Sequence, residues 1–92
     1  MNYMELIEAD LAEILTMLGM TEIAMLLFHR GWVTLDKLAE VGHQNSQLHD
    51  FNRAIRMQYM ILLKPLDTLE ILINEFWIVV CTKCNEKRGL LK

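Results

Sequence analysis

The chain has 92 residues, enough for one domain, because two cores would each be too small to hold without staples. Exchanging the two tyrosines for the four glycines in the apolar count gives 51 of 92 residues, about 55%, against roughly 45–50% in an average domain, so some apolar surplus is expected on the outside as an interface. Net charge is −3 but segregated: residues 1–46 hold seven acids against Arg30 and Lys37, and residues 47–92 hold seven bases against five acids. That balance suits a basic protein partner or head-to-tail association better than wholesale phosphate neutralisation, which needs a dense basic stripe.

The opening MNYMELIEAD lacks the positive n-region and apolar h-region of a signal peptide. A soluble protein of the cytoplasm or nucleus, not secreted and without structural disulfides, is the expectation. Lys64, Pro65, Asp67, Glu70, Asn74 and Glu75 interrupt the longest apolar region, Met57 to Cys81, so no bilayer span is expected.

Met4, Ile7, Leu11, Ile14 and Leu18 alternate gaps of three and four, a seam facing one way on a first helix that ends at Gly19. Its polar side is acidic, with Glu5, Glu8, Asp10 and Glu13. Thr21 is placed to cap a short second helix to Phe28 or His29, closed by Gly31; Thr34 is placed to cap a third, LDKLAEV, closed by Gly42. After the polar HQNS, Ser46 is placed to cap a fourth helix with Leu48, Phe51, Ile55, Tyr59 and Leu62 on one face. Pro65 ends it, because proline biases Lys64 away from helical geometry.

Asp67-Thr68-Leu69-Glu70 has capping-box spacing and opens a fifth helix to about Cys84. LEILI and FWIVVCT are rich enough in β-branched and aromatic residues that a hairpin turning at Asn74-Glu75 is the competing reading. No glycine or proline marks that turn, so helix is preferred. The expected domain spans residues 1–84, with residues 85–92 as a mobile basic tail.

The segment LGMTEIAMLLFHRGWVTLDKLAEVG resembles the opening of a sterile-alpha-motif domain, with Leu18-Gly19, Phe28, Gly31, Leu35 and Leu38 at comparable places. It covers about 25 of the 92 positions, and that family's later acidic-leucine and Leu-Gly-Ile signature is missing. The resemblance implies a helical interaction domain.

VTLDKLAEVGHQNSQLHDFNRAI also resembles a helix-turn-helix. Gln44, Asn45, Gln47, Asn52, Arg53 and Arg56 are its candidate DNA contacts, since amides read adenine edges and arginines read guanine or phosphate. Gly42 falls three residues after Ala39 where that motif has it four after, and the recognition helix carries Asp50 and few bases. A C-terminal hairpin would turn the same reading into a winged helix.

Cys81 and Cys84 have the spacing of half a zinc site; the rest would have to come from His29, His43 and His49 or from a second chain. Two ordinary thiols at a helix end are the preferred reading, with no cofactor. No nucleophile with a base, paired carboxylates or phosphate loop stands out, so neither catalysis nor a small-molecule substrate is expected.

The sequence therefore predicts an all-α bundle of about five helices, with a winged-helix-like α+β fold as the alternative. The expected function is protein–protein interaction through a homo-oligomer, a dimer by preference, or a basic partner; a helix-turn-helix regulator is the alternative. Met4, Ile7, Leu11, Ile14 and Leu18 are the expected docking seam, with Trp32 a further candidate anchor.

Overall fold

A computed structural model describes residues 2–62 and 64–90, with side chains as far as residue 87. Five α-helices follow in order: α1 (Ala9–Leu18), α2 (Ala24–His29), α3 (Leu35–Gly42), α4 (Asn45–Ile61) and α5 (Leu66–Leu90), with 3₁₀ turns at Tyr3–Glu5 and Thr21–Ile23. The described residues contain no strand. The fold is therefore an all-α bundle, and the hairpin alternative is excluded: Asn74-Glu75 lies inside α5. Nothing at those two residues supplies the positive φ that a tight hairpin needs, so the β-branched run stays helical.

The expected first helix is broken in two. A 3₁₀ turn precedes α1, and Glu8 stands between them with extended backbone. The cause is a tertiary contact, because the Glu8 N–H donates to Val33 O at 2.8 Å. Gly19 and Gly31 end α1 and α2 at φ +67° and +76°, where a side chain would be strained. In each case the next residue donates five back, Met20 to Leu15 O and Trp32 to Leu27 O, which satisfies a carbonyl left over by the helix end.

Thr34 caps α3, its hydroxyl accepting from the Lys37 N–H at 3.1 Å. The other expected caps differ. Thr21 begins a 3₁₀ turn, and Ser46 lies inside α4, whose N-cap is Gln44. Gly42 is the last residue of α3, with His43 as the C-cap and without the positive φ of Gly19 and Gly31; a Cβ there would lie 3.1 Å from the Trp77 ring, so its smallness admits the indole. Pro65 accepts from the Leu69 N–H as α5 begins, and the Glu70 carboxylate of the expected capping box pairs with Arg56 instead.

α5 is the central element, packing against α1, α3 and α4. Leu69, Ile73, Phe76 and Val80 meet Leu11, Ile14 and Leu15 of α1, Leu35, Leu38 and Val41 of α3, and Phe51, Ile55 and Tyr59 of α4 in one core. Its outer side is not covered: Ile71 and Ile78, two turns apart, are more than half exposed. The helix passes Cys84 and runs to Leu90, so the expected mobile tail is helical as far as it is described; residues 91 and 92 lie outside the described residues. The radius of gyration, 12.8 Å, is close to the roughly 12 Å of a compact domain of this length.

Candidate functional site

The docking seam expected on the first helix is used up internally. Ile7, Leu11 and Ile14 are 7%, 0% and 0% exposed, and Met4 and Leu18 are partly buried against the same core. A side chain sealed inside its own chain has no face left for a partner, so the surface reading of this seam is corrected to core. A three–four spacing marks a helix face that needs covering, and here α5 covers it. Trp32 is partly buried, its ring 4.8 Å from Phe51 with the Arg30 guanidinium 5.7 Å above it.

The apolar surplus emerges elsewhere. Met57, Met60, Ile61, Leu62 and Leu66 are 58%, 59%, 75%, 46% and 60% exposed, all within ten residues at the corner where α4 gives way to α5. The signal is in the sequence: Phe51, Ile55 and Tyr59 define the buried face of α4, and Met57, Met60 and Ile61 fall off it. Arg53 and Asp67 border this corner, both exposed and in no ion pair among the described residues.

The six candidate DNA contacts do not form one free reading face. Asn52 Oδ1 accepts from Trp77 Nε1 at 2.8 Å, and Arg56 Nε donates to Glu70 Oε1 at 2.6 Å. That bond raises the Arg56 pKa and lowers that of Glu70, each favouring the charged form of the other. Gln47 donates to Gln44. Asn45 and Arg53 are exposed, and so is Asp50 on the same helix.

Cys81 is exposed and Cys84 partly buried, and neither is in a disulfide. Among the described residues no three metal-ligating side chains come together, so His29, His43 and His49 do not complete a zinc site within the chain. Cys84 Sγ donates to Leu35 O at 3.8 Å, and Asn85 Nδ2 donates to Cys81 Sγ at 3.8 Å. Both thiols line a half-open cavity of about 250 Å³. α3 contributes Leu38, Ala39 and Gly42, followed by His43; α4 contributes Leu48; and α5 contributes Trp77, Val80, the two thiols and Asn85.

Two polar clusters were not foreseen. The Glu8 carboxylate accepts from the Leu35 N–H at 3.2 Å, meeting a donor that the first turn of α3 leaves over, and it lies 3.7 Å from Lys87 Nζ. Lys87 also reaches Asp10 at 3.2 Å, and that bond raises its pKa. At the other end of the bundle Lys64 pairs with Glu22 at 3.6 Å and sits 5.4 Å above the Tyr59 ring. The Tyr59 hydroxyl is buried without a hydrogen bond of acceptable geometry, although the Glu22 carboxylate is close enough for its charge to be felt. Burial first, and that charge second, push the Tyr59 pKa well up.

No described helix is long and apolar enough to cross a membrane. Comparison with family models, with curated proteins and with solved structures finds no match to this chain, so the sterile-alpha-motif likeness stays a local one.

Proposed function

We propose that this protein is a non-catalytic interaction module that pairs with a second copy of itself through the α4–α5 corner. The observation that carries the reading is the group Met57, Met60, Ile61, Leu62 and Leu66, exposed together on a chain whose core is already filled. A small domain that leaves such a group open favours any association that removes it from water, at about 25 cal/mol per Å² of apolar area. Methionine at two of the five corner positions, Met57 and Met60, suits such a contact, because its side chain adapts to the surface it meets.

Charge favours a second copy over a basic partner. The acids of α1 that suggest a basic partner in the sequence are in part answered by Lys87 of the same chain. The corner itself carries one sign on each helix, Arg53 on α4 and Asp67 on α5. A two-fold contact brings a patch against its own copy, so a patch with both signs is compatible with itself. The DNA-binding alternative is less supported, since Asn52 and Arg56 are engaged inside the fold and the net charge is −3.

Absolute mass by light scattering on a size-exclusion column tests the proposal. The expected result is a dimer that becomes a monomer on Met60→Asp with Ile61→Asp, with the helical circular dichroism unchanged. A wild-type monomer across the accessible concentration range refutes it.

A further inference from the structure

The cavity between α3 and α5 lies outside the corner and is independent of the pairing reading. It has three properties that together define a ligand. Its volume of about 250 Å³ exceeds the 150 Å³ or so of an apolar cavity that takes benzene, which scales to a guest of roughly ten non-hydrogen atoms. Its walls are mainly hydrocarbon and indole: Leu38, Leu48 and Val80 face the Trp77 ring. Among the described residues no carboxylate, ammonium or guanidinium lines it, so a charged guest would lose hydration with no ionic partner among them.

The shape of the cavity rests on side chains that are held in place. Trp77 is fixed at its N–H by Asn52 at 2.8 Å and against the backbone of α3 at Gly42, where a Cβ would come within 3.1 Å of the ring. Asn85 and the two thiols supply polar and soft atoms on the α5 side, and His43 adds an imidazole on the α3 side. A preformed, mainly apolar pocket with a few polar groups is the usual build of a small-molecule site.

We infer that this cavity binds a small, uncharged, flat and mainly apolar molecule of bicyclic-aromatic size, stacked on Trp77 with its polar end towards Cys81 and Asn85. Binding is proposed, with no chemical change of the guest. An occupied cavity covers Cys81, so the thiol becomes the reporter.

The test measures the alkylation rate of Cys81 by N-ethylmaleimide, resolved by mass spectrometry, while 2-naphthol is titrated in, with 2-naphthoate as the charged counterpart. Saturable protection by 2-naphthol is expected, reaching about tenfold at ten times its Kd by simple occupancy, with no protection by 2-naphthoate at equal concentration. Ala39→Phe, at a partly exposed lining position, should abolish the protection while the helical circular dichroism and the melting transition persist. Four results overturn the inference: no saturable protection up to the solubility limit, equal protection by the anion, protection undiminished in folded Ala39→Phe, or protection that rises with protein concentration alone. The last would assign the cavity to a second copy of the chain. Because the mass measurement reads the corner and the alkylation reads the cavity, failure of one proposal leaves the other standing.

Discussion

Trp77 and Asn52 are 25 positions apart in the chain and 2.8 Å apart in space, and their bond gives Asn52 a structural task in place of a base-reading one. Replacing Asn52 by alanine leaves a partly buried indole N–H without its acceptor. The expected cost is about 1–2 kcal/mol, checked by urea unfolding, with loosened packing of the Trp77 ring against Gly42. Tyr59 is the opposite case, a buried hydroxyl beside the Glu22 carboxylate with no hydrogen bond of acceptable geometry. Tyr59→Phe is therefore expected to be neutral or stabilising by up to about 1 kcal/mol. The sign of its pH effect follows from the raised pKa. Between the unfolded value, about 10, and the higher folded one, the unfolded chain has lost a proton that the folded chain keeps, so stability falls as pH rises. Unfolding curves above about pH 10 should show that fall in the wild type, and a shallower one in Tyr59→Phe.

At the scale of the helix, periodicity shows which face must be covered and leaves open what covers it. Met4, Ile7, Leu11, Ile14 and Leu18 satisfy the same spacing whether the cover is the chain's own core or another molecule, and the structure gives the role to the core, with α5 packed on α1 and α2 on the first 3₁₀ turn. Leu11→Ala should then destabilise the fold by about 2–5 kcal/mol, while Ile61→Ala, at a side chain 75% exposed, should leave monomer stability nearly unchanged. Paired chemical-denaturation curves on a monomeric background separate the two. The break before α1 has the same tertiary origin, since Glu8 joins the start of α1 to the start of α3 through both its backbone and its carboxylate. Lys87 ties the far end of α5 to the same place. Lys87→Ala is expected to speed hydrogen exchange in the last turns of α5 at low salt, and the difference should shrink as salt screens the pair.

Over the whole molecule, the acidic first half and basic second half are folded partly onto each other. Lys87 meets Glu8 and Asp10, Lys64 meets Glu22, and Arg56 meets Glu70 within the second half itself. The polarity of the sequence is thus reduced inside the monomer, while the α4–α5 corner leaves a mainly apolar group exposed. If the α4–α5 corner is the pairing surface, dimer formation should change little with added sodium chloride, whereas a pairing driven by the acidic half would weaken. Light scattering at low and high salt distinguishes the two.

Helix class, the glycine stops after α1 and α2, and the Thr34 cap were legible from the amino acids alone, because each depends on neighbours within a few positions: three–four periodicity, φ > 0 at Gly19 and Gly31, a hydroxyl three residues before its N–H. The role of Gly42 was not, since its space is occupied by a ring 35 residues later in the chain. Nor were the burial of the α1 seam, the engagement of Asn52 and Arg56, and the cavity beside Cys81 and Cys84. Those depend on which helices meet and at what register, and that is set by the joint covering of five apolar faces, a property no single stretch of sequence contains.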